Sequence, residues 1–79
     1  MSLTLKIAAR DLQDHAWTLA TIGDAAKFID ANFSAGRKSE ERLQATLKVL
    51  QAAAMNGDYL QRERATTALT MLLKAEGMF

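Results

Sequence analysis

Apolar positions recur along this chain with two different periods. Leu3, Leu5 and Ile7 alternate with Thr4, Lys6 and Ala8, the period of two expected of a strand with one buried face. After a polar connection, Arg10 to Asp14, Trp17 and Leu19 alternate with Thr18 and Ala20, which predicts a second strand of about six residues. So short a connection predicts an antiparallel hairpin, with Leu5, Ile7 and Trp17 sharing its inner face. A bare hairpin is marginal in water, so helices must cover that face. A helix over residues 3 to 12 is the competing reading of the first stretch, because LKIAARDLQ is not hostile to helix. The clean alternation favours strand.

From Thr21 onward the period is helical. Thr21-Ile22-Gly23-Asp24 has the form of a capping box, with Asp in the reciprocal position. It predicts a first helix over Gly23 to Phe33, with Ala25, Ile29 and Phe33 on one face and Gly36 as its left-handed end. A second helix is predicted over Ser39 to Asn56, with Ser39 as N-cap and Glu40 and Glu41 in the first turn, where the helix dipole favours negative charge. Leu43, Leu47, Leu50 and Ala54 form its stripe, widened by Ala45, Val49, Ala52 and Ala53. An apolar arc so wide predicts contact from two directions, hence a central helix. Its Ala45-Val49-Ala52 side suits close approach by the first helix, the hairpin or a second subunit.

Asn56-Gly57 closes that helix, and Asp58 caps a third with Gln61 as reciprocal partner. The turn is tight enough to make helices two and three a helical hairpin. Helix three is expected over Tyr59 to Glu76, stopped by Gly77, with Ala65, Ala68, Leu69, Leu72 and Leu73 as its core stripe. Leu60, Met71 and Met78 fall nearly opposite. With the terminal Phe79 they form a candidate partner-facing surface, to be weighed against the ordinary scatter of exposed apolar residues. The fold expected is α+β, an N-terminal antiparallel β-hairpin followed by three α-helices (ββααα), helix two central. Its expected core is Trp17, Ile29, Phe33, Leu43, Leu47, Leu50, Leu69, Leu72 and Leu73.

Size and composition add a constraint on partners. Seventy-nine residues make one small domain, and a chain this short buries only ~60% of its unfolded surface. Small domains commonly add disulfides, a metal or a partner chain. The sequence has no Cys and one His, which leaves the partner chain, expected as a homodimer. The absence of Cys also fits a reducing cytoplasm. Hydrophobic residues make up 49%, much of it Ala, and the net charge is only +1, which points neither to disorder nor to a strong polyanion binder. No apolar run approaches the ~20 residues of a membrane span, and the N-terminus lacks the layout of a secretion signal. Met1-Ser2-Leu3 reads equally well as native or as a cloning remnant.

Little in the sequence carries chemistry. Asp14-His15 invites a catalytic reading with Ser2, Ser34 or Ser39 as nucleophile. However, there is no nucleophile turn, no Gly-rich oxyanion segment and no third residue in a known order. Asp24 and Asp58 have capping roles, and Glu40 and Glu41 a dipole role. No D-x-D-x-D-G or H-E-x-x-H motif is present, and each glycine is single. No catalytic, cofactor-binding or metal-ligating residue is therefore expected, and the chain is read as a non-enzymatic interaction module. The alternative is a nucleic-acid-binding regulator using Arg37, Lys38 and Arg42 at the start of helix two and Arg62 and Arg64 at the start of helix three. Glu40, Glu41 and Glu63 interrupt those clusters, which equally describes a solvated face of mixed charge.

From Trp17 to Phe79 the chain resembles a family of short bacterial proteins catalogued as domain of unknown function 982. The likeness rests on the strand running into Ala25-Ala26, on Phe33 and Gly36 before the next helix, on Ala53-Ala54-Met55-Asn56-Gly57, and on Arg64-Ala65 in the last helix. The chain departs from the family at Phe33-Ser34, where Trp-Pro is usual, and at Thr66-Thr67, where Phe is usual. The resemblance implies strands followed by helices and a bacterial source. It implies no activity, cofactor or site residue.

Overall fold

The computed structural model describes all residues, Met1–Phe79, in the order β1 (Ser2–Arg10), β2 (Ala16–Thr21), α1 (Ile22–Asn32), α2 (Ala35–Lys38), α3 (Glu41–Met55) and α4 (Tyr59–Glu76). The two strands pair antiparallel, so the fold is α+β with an N-terminal hairpin, and the strand reading of residues 3 to 8 holds. The helices number four rather than three. The extra one is a single turn made by the polar residues after Phe33. Ser34 accepts a hydrogen bond from Arg37 N–H (3.3 Å) and starts the turn, and Ser39 Oγ donates to Gly36 O (2.6 Å) and ends it. Gly36 lies inside this turn and is not left-handed, and Ser39, spent on α2, leaves Glu40 as the N-cap of α3.

The expected inner face of the hairpin also needs correction. Ser2 pairs with Thr21 and Ile7 with Leu19, so four residues of β1, Leu3 to Lys6, stand opposite the single Ala20 of β2. The surplus bows β1 outward. Leu3 and Ile7 point into the core, while Leu5 is 69% exposed. Within the bow, Thr4 N–H donates to Thr66 Oγ1 of α4 (3.0 Å), and that hydroxyl donates onward to Arg62 O (2.8 Å). A polar residue in the buried stripe of α4 thus satisfies a strand edge that β2 does not reach. At the other end of β1, Arg10 N–H donates to Met78 O (2.7 Å).

That last bond accounts for Met78. Gly77 adopts the left-handed conformation (φ 71) and turns the chain back under the sheet. Met78, expected on the partner-facing side, is only 4% exposed and belongs to the core.

The capping box of α1 forms as expected. Thr21 Oγ1 accepts from Asp24 N–H (3.0 Å), and Asp24 Oδ2 accepts from the N–H groups of Ala20 and Thr21 (3.0 and 3.1 Å). Asp58 likewise caps α4 by accepting from Gln61 N–H (2.9 Å).

α1 packs on β2 and α4 on β1, and α3 lies against α1 and α4. The helix expected at the centre is touched from two directions, by α1 and by α4, and buries Leu43, Thr46, Leu50 and Ala53, with Leu47 packed beside them. Its Ala45 and Ala54 are exposed, and Val49 is half-buried. The hub is α4, which buries Ala65, Thr66, Leu69, Leu72 and Leu73 between β1 and α3. Phe28, Leu19 and Ile29 complete the core, each fully buried side chain contributing about 1.5–3 kcal/mol. Trp17 and Leu47, expected in the core, are half-buried against it. The Trp17 ring meets Phe28 edge-on at 5.2 Å, and its indole N–H is drawn to the rim by Asp11. Met1 O accepts from Ile22 N–H (2.8 Å), Ser2 pairs with Thr21 and Leu3 is buried, so the first three residues are built into the fold.

Candidate functional site

The surface that the fold leaves unused is the outer side of α4. Leu60 and Met71 lie eleven residues apart, three helical turns, so both fall on one stripe roughly 16 Å long. Leu60 is 54% exposed and Met71 67%. Three shallow grooves meet at Met71. One, of about 300 Å³, runs between α3 and α4 and is lined mainly by Ala45, Val49, Ala68, Leu72 and Ala75. A second, of about 420 Å³, lies along α4 itself among Leu60, Arg64, Thr67 and Ala68. The third, of about 390 Å³, separates α4 from the bowed part of β1, where Leu5 and Tyr59 join the surface. The sequence pattern did not signal these last two residues. Alternation alone placed Leu5 inside, and Tyr59 reads as an ordinary first-turn residue. Phe79 is exposed past the far end of α4, which lies some 24 Å of helix away from Leu60.

The five cations considered for nucleic acid do not share a face. Arg37 donates to Glu40 (3.2 Å) and to Glu76 (3.0 Å) and lies over the Phe33 ring at 5.1 Å. Its bonds to Glu40 and then Glu76 raise its pKa further. Lys38 is paired with Asp30. Arg62, at the opposite end of α4, donates to Ser2 Oγ (3.3 Å), lies over Tyr59 at 6.0 Å and keeps its Nε buried without a partner. Arg42 borders a cleft of about 550 Å³ that also carries Glu40, Glu41 and Glu76. Arg64 stands on the Met71 surface beside Glu63.

The hairpin loop explains the polar run that the sequence left as a connection. Asp11 Oδ1 accepts from Gln13 N–H (2.9 Å) and His15 N–H (2.8 Å), and Oδ2 accepts from Trp17 Nε1–H (3.0 Å). Those bonds, Trp17's first, hold the Asp11 carboxyl below its ordinary range. The signal available in the sequence was an Asp opening a five-residue, mostly polar loop, the start of an Asx turn. Asp14 takes the left-handed conformation (φ 65) and receives Arg10. Asn32 fastens the loop to α1, accepting from Leu12 N–H (3.0 Å) and donating to Phe28 O (2.8 Å). His15 is exposed, with Nδ1 3.6 Å from Asp11 Oδ2. Both acidic neighbours of His15 are therefore occupied by loop geometry.

No group of three or more His, Asp or Glu side chains is placed to hold a metal ion, and no helix is long and apolar enough to cross a membrane. Comparison with protein-family models, with curated proteins and with solved structures gave no match to this chain.

Proposed function

We propose that this chain is a non-enzymatic protein-interaction module that acts as a homodimer through the outer side of α4. The observation that carries the reading is the convergence of three grooves on Met71, among the exposed Leu5, Tyr59 and Leu60. Contiguous exposed apolar surface is where partners dock. A 79-residue domain without a disulfide also gains stability from a partner that binds only the folded state. The cysteine-free sequence fits the reducing cytoplasm of a bacterium, where we place the protein. Light scattering on the purified full chain at high micromolar concentration tests the reading. A mass of two chains is expected, and a single-chain mass overturns it.

A further inference from the structure

We infer that Asn56 is a modification site: its side-chain amide is lost by spontaneous ring closure onto the Gly57 nitrogen, which leaves the α3–α4 turn as a mixture of aspartyl and isoaspartyl forms.

Asn32 and Asn56 are the only asparagines of the chain, and the fold treats them oppositely. Asn32 is buried, accepts from Leu12 N–H (3.0 Å) and donates to Phe28 O (2.8 Å). The nitrogen that would attack it is also engaged, because Phe33 N–H donates to Ile29 O (2.9 Å). Asn56 is exposed, and its side chain makes no hydrogen bond within the chain. Its own N–H is held by Ala52 O (2.9 Å), but neither its carbonyl nor the Gly57 N–H has a partner in the chain. Asn56 has ψ 91, which turns the Gly57 nitrogen away from the Asn56 side chain. Ring closure therefore needs the peptide plane between the two residues to flip, by opposite rotations about Asn56 ψ and Gly57 φ. That flip leaves both helices in place and breaks no hydrogen bond. It is open because glycine accepts either sign of φ.

The reaction balances with water alone. The Gly57 nitrogen bonds to Asn56 Cγ, the Cγ–Nδ2 bond breaks, and the Gly57 amide proton leaves with Nδ2 as ammonia. Water then opens the cyclic imide at either carbonyl. Opening at Cγ gives aspartate on an unaltered main chain. Opening at the α-carbonyl routes the main chain through Cβ and Cγ and frees an α-carboxylate. Nothing is oxidised or reduced. Either product sets negative charge at the C-terminal end of α3, where the helix dipole disfavours it, close to the Asp58 carboxylate that caps α4. The isoaspartyl form also lengthens the turn by a methylene.

Incubation of the full chain in mildly alkaline buffer, then tryptic digestion and mass spectrometry, reads both sites, since cleavage after Lys27, Arg37, Lys48 and Arg62 puts Asn32 and Asn56 on separate peptides. The Asn56 peptide is expected to gain the mass of an amide-to-acid exchange and to split into isomers that separate by chromatography. Its rate should exceed that of the Asn32 peptide at least about tenfold, and should lie within about tenfold of its own rate in the urea-unfolded chain, because the turn does not hold the peptide. Gly57→Ala, whose methyl meets only the exposed and movable Met1 side chain, should slow the native rate about tenfold. An Asn56 no faster than Asn32, protection by folding of more than about tenfold, a single product isomer, or a folded Gly57→Ala chain that reacts at the parental rate each overturns the proposal. If Gly57→Ala does not fold, the measurements on the parent chain decide alone.

Discussion

The two sides of α4 are built from similar residues and meet opposite fates. The inner side carries Ala65, Thr66, Leu69, Leu72 and Leu73, all buried, and the outer side carries Leu60, Thr67 and Met71, all exposed. Hydrophobicity does not separate them, since each side has Leu and Thr. What separates them is whether another element supplies the complementary surface. β1 and α3 do so for the inner side, down to a threonine hydroxyl aimed at an unpaired strand amide. No element of the chain crosses the outer side. An inner substitution should therefore be read in folding, and an outer one in association.

The strongest way to break this comparison is at Leu69. Its side chain is fully buried where α4 faces both β1 and α3. Leu69→Ala removes that burial and leaves a cavity, at an expected cost of about 2–5 kcal/mol in urea unfolding. A loss below about 1 kcal/mol would mean the inner side is no better packed than the outer one.

Thr66 asks the same question of a polar group. Its hydroxyl accepts from Thr4 N–H and donates to Arg62 O, so nothing at that buried position is left unpaired. Thr66→Ala orphans the Thr4 amide and should cost about 1–3 kcal/mol. Faster hydrogen exchange at Thr4 would assign the loss to the bowed edge of β1. The neighbouring Thr67→Ala, on the exposed side, is the control and should stay within about 0.5 kcal/mol.

How much of this was legible in the sequence follows the range of the forces involved. The capping box at Thr21, the cap at Asp58 and the stop at Gly77 depend on residues a few positions apart, and they form as read, although Gln61 does not return the bond to Asp58. So does the Leu43-Leu50 stripe, because its period is local. The bow in β1 was not legible. It exists because Thr66, sixty-two residues away, offers a better partner for Thr4 N–H than β2 does. Leu5 was consequently placed inside when it belongs to the outer surface. Met78 was misplaced for a similar reason, since helical phase was carried past Gly77, where the chain has already left the helix. The single turn α2 was hidden because Ser34 and Ser39 were read as the end of one helix and the start of the next. In fact they bracket a helix of their own. For the candidate surface, the stripe of Leu60 and Met71 was visible as a pattern without a use. The grooves that converge on it depend on how β1 and α3 flank α4.

The distinction between built-in and free groups extends to the carboxylates, where the effect should be the smallest of the three. Asp11 accepts three hydrogen bonds that hold the hairpin loop, and Asp24 accepts the N–H groups of Ala20 and Thr21 that begin α1. Each is held below its ordinary pKa, Asp11 chiefly by the Trp17 indole and Asp24 chiefly by the Ala20 amide. A carboxyl with a lower pKa folded than unfolded stabilises the fold in its ionised form. That stabilisation is complete above the unfolded value of about 3.9 and is lost as the pH falls through the lower folded values. The melting temperature should therefore decline as the pH falls below about 4, with Trp17 fluorescence changing at the same time because its N–H partner is being protonated. Asp11→Asn should lower the melting temperature near neutral pH and flatten the part of the acid decline that Trp17 reports, leaving Asp24 to account for the rest. If the variant kept the parental acid profile at Trp17, the loop would not depend on the charge of Asp11. Asp24, held by the Ala20 and Thr21 amides, would then be the one of these two carboxylates whose charge the fold uses.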